Sequence, residues 1–241
     1  MDAVYESLAT RACNLQEALH REDSAHTRII IALAGPPGSG KSTIAEKVSC
    51  RINRKSHKSG VYIATAVPMD GFHYPRAHLD SLPNSEDAHA RRGAYWTFDA
   101  TGVLELAKKL HASRKRTAEG EAILVPSFDH FLKDPVADGV RIAPEVNIVI
   151  LEGNWLLYDR APWQGIAELM DDIWFVDVDP LLARRRVAAR HIKSGIEETW
   201  DAALARADGN DVLNGEDIRN HLIEPNIRIE SIEMSSQEEL L

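Results

Sequence analysis

Only two cysteines occur in 241 residues, Cys13 and Cys50, and neither sits in a C-x-x-C pair or beside a histidine cluster of metal-binding spacing. That excludes a disulfide framework and a zinc-ribbon type of site, and two reduced thiols suit the cytoplasm. Positive charge is also scarce. Lys plus Arg total 28 against 37 Asp plus Glu, a formal net charge of -9, which is the reverse of a nucleic-acid footprint. No apolar run approaches the roughly 18 to 20 residues of a membrane-spanning helix, and the opening MDAVYESLATRACNLQ lacks the apolar centre of a signal peptide. The expectation is a cytoplasmic protein with no nucleic-acid and no membrane partner. An internal repeat is absent, and so is the N-K-x-D motif that reads guanine.

What is present is a hydrophobic fraction of 44%, enough for one large α/β unit or a domain with a lid. Val4, Leu8, Leu15, Ala18 and Leu19 recur at mostly helical spacing, so a leading helix is predicted over about 3–22 within a 1–26 segment packed on the core. Ile29–Ala34 and Asn147–Gly153 are continuous apolar runs, as strands buried on both faces of a parallel sheet must be. Further strands are predicted at Val61–Val67, Asp172–Val178 and, as an alternating edge, Ile227–Met234. Helices are predicted over about 41–54, after Asp99 as an N-cap, and over Pro180–Lys193. Ala122–Pro126 reads as a strand-like turn, and the Asp208–Asp211 and Asn214-Gly215 stretches read as turns. Strands alternating with helices predict right-handed βαβ units across a main domain of 27–234, with residues 235–241 as a frayed tail.

The strongest local signal is Gly35-Pro36-Pro37-Gly38-Ser39-Gly40-Lys41-Ser42-Thr43, which fits G-x-x-x-x-G-K-[ST] between a buried strand and a helix. Glycines there let backbone N–H groups approach phosphate oxygens, and the helix N-terminus adds partial positive charge. Lys41 is expected on the β- and γ-phosphates of ATP, and the Ser42 hydroxyl on Mg²⁺. Asp70 and Glu152 end two other strands, at the edge where open α/β sheets bind ligands. One assignment makes Asp70 the base for an attacking hydroxyl and Glu152 the acidic residue at Mg²⁺; the two roles can also be exchanged. Arg184, Arg185, Arg186 and Arg190 come after the Asp172–Val178 strand on one helix, with Arg186 and Arg190 four residues apart on a common face. A mobile helix carrying them over the phosphates would neutralise transition-state charge.

The ordered set MDGFH, RRGAYWTFD, PSFDHFLKDPV and ILEGNWLLYD, with the arginine helix after it, resembles the uridine kinase, phosphoribulokinase and bacterial pantothenate kinase superfamily. Its closest likeness is to the nucleoside/nucleotide-kinase-like branch, which includes fructose transport-system kinases. The resemblance covers about Ile29 to Asn226. It implies a P-loop NTPase three-layer sandwich with a five-stranded parallel core and a helical lid over about 181–214. It also implies an ATP and Mg²⁺ site and transfer to a hydroxyl of a small metabolite. By the same matching Asp70 is the catalytic aspartate, Lys41, Arg186 and Arg190 assist transfer, and Ser42 and Glu152 serve the metal. His73, Arg92, Tyr95, Phe98, Asp129 and His130 fall in an acceptor region of about 70–140. Ala94-Tyr95-Trp96-Thr97 departs from the more usual small-Pro-Glu-Ser/Thr run, which leaves acceptor identity open. The aromatic residues Phe72, Tyr95, Trp96, Phe98 and Phe128, beside polar His73, Arg92, Asp129 and His130, suit a nucleoside-like acceptor. Alternatives are a sugar, a sugar acid, a pantothenate-like acceptor, or a regulatory ATPase with no acceptor. A monomer or a homodimer is expected.

Overall fold

Every residue of the strand Ile29–Ala34 (β1) is buried, and its alternating side chains serve two separate cores. In the computed structural model, which describes residues 1–25, 27–56, 63–115, 120–129 and 131–233, Ile29, Ile31 and Leu33 face one helical layer while Ile30, Ala32 and Ala34 face the other. Fully burying one such aliphatic side chain is worth about 1.5–3 kcal/mol, so a run apolar on both faces is a strong determinant of the centre of a sheet.

The first layer holds α1 (Asp2–Glu22) and α2 (Lys41–Lys55). Tyr5, Leu8, Ala9 and Ala12 of α1 pack with Ile44, Val48 and Ile52 of α2, which fits a leading helix built into a layer. Ion pairs Arg51–Asp2 and Lys55–Glu6 join the two helices, and Arg11 pairs with the buried Asp172 at 2.7 Å.

Next in the chain come β2 (Ala64–Pro68), a 3-10 turn at Met69–Phe72, and the short helices α3 (Arg76–Asp80) and α4 (Ser85–Ala90). The second layer is carried by α5 (Ala100–Ala112), whose Asp99 cap accepts from the Gly102 amide as the sequence predicted. Val103, Leu106, Ala107 and Leu110 pack there with Trp155 and Trp163.

An antiparallel hairpin comes next, β3 (Ile123–Asp129) with β4 (Asp134–Ile142). This corrects the expected strand-like turn at 122–126. β4 is mostly exposed and carries Pro135, Gly139 and a positive-φ Asp138, so it has none of the apolar signal of a core strand. Then come β5 (Ile148–Gly153), a short α6 (Gln164–Ala167), β6 (Asp172–Val178) and α7 (Pro180–Lys193). Asp179 caps α7 by accepting from the Leu182 amide, with Pro180 in the first turn.

After α8 (Trp200–Arg206) the chain forms a π-helical stretch, Ala207–Val212, that runs into α9 (Leu213–Asn220). The expected turns at 208–211 and 214–215 are therefore helical, and Asn210 and Asn214 are buried rather than presented to solvent. The edge strand β7 is Ile227–Ser231, shorter than predicted, and Met234 lies outside the described residues, as do Val61 and Tyr62 of the second predicted strand.

The five-stranded sheet has the order β2-β5-β1-β6-β7, all parallel. Register decides where chemistry meets: Leu33 lies beside Glu152, Ala34 beside Gly153, and Pro68 beside Glu152. The carboxyl ends of β1, β2 and β5 are thus level, and the loops that leave them share one edge.

Candidate active site

The phosphate loop leaves β1 at Gly35 and enters α2 at Lys41. Gly38 and Gly40 have φ of 79° and 83°, the left-handed region in which a side chain is strained. At Gly38 space is forbidden as well, because an added Cβ would lie 2.6 Å from the Ala183 carbonyl oxygen of α7. The loop is therefore pressed against the first turns of α7. Pro36, Pro37 and Ser39 are buried within it, and the Ser39 hydroxyl has no hydrogen-bond partner among the described residues.

Across the sheet edge, the Ser42 hydroxyl donates to Glu152 Oε1 at 2.9 Å. Glu152 is only 6% exposed. Burial raises its pKa above the ordinary carboxylate value, the positive Lys41 opposes that, Asp70 pushes it further up, and the Ser42 bond pulls it down. Those influences place Lys41, Ser42, Asp70 and Glu152 in one electrostatic neighbourhood.

Asp70 sits in the 3-10 turn that continues β2. An added Cβ at Gly71 would lie 2.0 Å from the Pro126 carbonyl oxygen, and one at Gly153 would lie 2.0 Å from Met69 Cγ. Two missing side chains thus let the turn wedge between β3 and β5, and this fixes Asp70 beside Glu152. His73 Nδ1–H donates to the Asp70 carbonyl at 2.8 Å, setting the imidazole's tautomer.

Magnesium generally takes one or two protein oxygens, with phosphate oxygens and water filling its shell. The buried Glu152 carboxylate holding the Ser42 hydroxyl is an all-oxygen donor set of that kind, so these residues fit the ion. Among the described residues no cluster of three or more His, Cys, Asp or Glu side chains could hold a metal by protein ligands alone.

The residues predicted to contact an acceptor divide by environment. His73 stacks in tilted geometry on Phe98 at 3.9 Å and on Phe128 at 5.0 Å. Phe98 is 2% exposed and meets Trp163 edge-on, so its ring is wall material behind His73 and offers no open face. Tyr95 packs on Tyr158 at 5.2 Å and Trp155 at 5.8 Å. Arg92 donates to the Tyr74 and Lys133 carbonyls and to Asp134, with its guanidinium 5.4 Å from the Phe128 ring centre. Asp129 accepts from the Phe131 and Leu132 amides and so caps the hairpin turn. His130 lies outside the described residues.

The α7 arginines also separate. Arg186 does not extend over the loop; it donates to the Gly38 carbonyl (3.3 Å), the Ser231 hydroxyl (2.8 Å) and the Ile232 carbonyl (2.7 Å). It fastens the phosphate loop to the end of β7. Arg190 is 60% exposed and 3.8 Å from Asp211. Arg184 makes a two-pronged bond to Asp208. Next to them, burial lowers the pKa of His191 and raises that of Asp211, 3.6 Å away.

Sequence reasoning passed over Asp134, the neutraliser of Arg92, and Trp155, whose Nε1–H donates to the Gly93 carbonyl at 3.0 Å. It also passed over Arg91, which the RRG doublet signalled but did not separate from Arg92.

Known proteins resemble this chain along most of its length. The model of the phosphoribulokinase / uridine kinase family matches residues 30–194. A Schizosaccharomyces pombe protein provisionally named uridine kinase C227.14 is 37% identical over 234 residues, 96% of this chain and 92% of its own length. A solved structure from Silicibacter sp. TM1040, provisionally titled a fructose transport system kinase, is 31% identical with a TM-score of 0.74, covering 90% of this chain and 97% of that one. The structure of YFH7 from Saccharomyces cerevisiae, provisionally titled a P-loop containing kinase, is 27% identical with a TM-score of 0.81, covering 95% and 99%.

Proposed function

The chain belongs to the phosphoribulokinase / uridine kinase family of ATP-dependent kinases, and from that premise we propose that it transfers the γ-phosphoryl of ATP to a hydroxyl of a nucleoside-like small molecule. The observation that carries this reading is the Ser42–Glu152 hydrogen bond, with Lys41 and Asp70 acting on the same buried carboxylate.

The loop amides of 35–43 and the α2 N-terminus hold the phosphates, and Lys41 offsets charge on the β- and γ-phosphoryl oxygens. Ser42 and Glu152 would hold Mg²⁺, which would supply positive charge against the negative charge that develops on the transferred phosphoryl group. Asp70 accepts the proton of the acceptor hydroxyl as its oxygen bonds to the γ-phosphorus, while the bond to the β-phosphate oxygen breaks and ADP leaves. Arg186 acts at one remove, by fixing the Gly38 carbonyl and with it the curvature of the loop. Arg190, largely exposed at the far end of α7, is the cation with freedom to swing toward the phosphates.

Support for a nucleoside-like acceptor comes from the half-buried His73 and Phe128 rings beside Arg92, where a planar base can stack and a sugar hydroxyl can be aimed at Asp70. The two free cysteines suit a cytoplasmic setting. A panel of nucleosides, sugars, sugar acids and vitamin precursors offered with Mg·ATP and read by mass tests the reading. One nucleoside-type product is expected. Normal ATP binding with no phosphorylated product from any member would sink the proposal.

A further inference from the structure

Arg91 and Arg92 are neighbours in sequence, yet their charges are handled in opposite ways. Arg92 is neutralised by Asp134 at 2.9 Å. Arg91 has no carboxylate at salt-bridge distance among the described residues. Its Nε–H donates to Asn210 Oδ1 (3.1 Å) and its Nη2 to Asn214 Oδ1 (3.0 Å), while Nη1 has no protein partner among those residues.

Both asparagines are buried and are fixed in turn. Asn214 Nδ2 donates to Asn210 Oδ1 at 3.1 Å, and Asn210 Nδ2 donates to the Arg92 carbonyl at 2.9 Å. A guanidinium has only donors, so the two amide oxygens must face it. Neutral amides aim a cation without cancelling its charge. A half-buried cation held in that way gains most when an anion arrives at its unused edge. The π-helical stretch 207–212 is what turns Asn210 inward, and such insertions recur at functional sites.

The location is that of the transfer site. Gly215, next to Asn214, abuts the phosphate loop, where an added Cβ would lie 3.4 Å from Pro36 Cβ. On the other side Trp155, three residues beyond Glu152, holds the Gly93 carbonyl. The segments that hold Arg91 thus reach the phosphate loop through Gly215 and the chain just after β5 through Gly93.

We propose that Arg91, oriented by Asn210 and Asn214 as positioning residues, binds an oxyanion in the transfer site, either the γ-phosphoryl group or an anionic group carried by the acceptor. This rests on the phosphotransfer reading and adds to it a cation outside α7.

The test needs no knowledge of the acceptor. Calorimetric titrations of Mg·AMP-PNP, of Mg·ADP, and of inorganic phosphate into the Mg·ADP complex are compared for wild type, Arg91→Gln and Arg91→Lys. If the oxyanion is the γ-phosphoryl, Arg91→Gln weakens AMP-PNP by about tenfold or more and leaves ADP unchanged. If it belongs to the acceptor, both nucleotides bind as in wild type and phosphate binding is lost. In either case Arg91→Lys, which keeps the charge, recovers part of the affinity. Asn210→Asp gives up the Nδ2 bond to the Arg92 carbonyl but keeps an acceptor oxygen for Arg91 and pairs its charge, so it gives the same loss even where Arg91→Gln does not fold. Unchanged affinities for AMP-PNP, ADP and phosphate in a folded variant overturn the proposal. Failure of the wild type to bind nucleotide at all overturns the phosphotransfer reading itself, and with it this inference.

Discussion

The phosphate loop and the proposed acceptor region are built on different plans. The loop motif is nine consecutive residues, 35–40 between β1 and α2 and 41–43 in the first turn of α2, and its geometry comes from glycine φ angles and one helix start. The acceptor region is assembled from the turn after β2, the segment 91–98, the β3–β4 hairpin, the end of β5 and the π-helical stretch. A local device keeps its chemistry in sequence order, and a dispersed one is defined only by which segments touch. The loop should therefore fail through function at single residues, whereas the acceptor region should fail through packing as often as through binding.

The sharpest test of the local device is Lys41→Ala, for which turnover falls by on the order of 10³-fold or more and ATP binding is nearly abolished, read by steady-state kinetics and calorimetry. Retained activity would mean that the loop is not the site. Asp70→Asn comes second, with kcat lower by about 10²–10⁴-fold while ATP affinity is kept; an unchanged kcat removes Asp70 as the base.

Glu152→Gln separates function from stability. The folded-state pKa of Glu152 is raised, so its burial favours the protonated form, and the stability this group contributes is lost as pH rises through that value. Burial makes the ionised side chain a cost, so a neutral isostere is expected to raise Tm while activity drops by about 10²-fold. A lowered Tm at pH 7 would refute this sign.

The smallest functional effects are expected within the acceptor region, and they distinguish wall from pocket. Phe98→Ala, at a ring 2% exposed, should cost about 3–5 kcal/mol of stability in a denaturant melt. Phe128→Ala, at a half-buried ring, should cost less stability and raise the acceptor KM several-fold. Equal stability losses would erase the distinction.

Legibility tracked the length scale of the cause. β1, β6 and α7 lie where the sequence predicted them, at Ile29–Ala34, Asp172–Val178 and Pro180–Lys193. β4 was missed because its nine residues are mostly exposed and, among the described residues, pair with β3 alone. Phe98 read as one aromatic among several, since nothing local to it tells a buried ring from an open one. Arg186 read as a transfer-site cation because helical spacing reports a face and not a neighbour. Its neighbours, Gly38 and Ser231, are 148 and 45 residues away.

The sequence alone determined the phosphate loop, the buried strands around it and the carboxylates that end two of them, because each depends on a few adjacent residues and on periodicity. Only the tertiary structure decided that Ser42 meets Glu152 across 110 residues, that among the described residues Arg92 has a carboxylate partner while Arg91 has none, and that a π-helical turn and the start of α9 supply the amides holding Arg91. Those outcomes depend on register and on helix docking, which set distances between segments that no local pattern encodes.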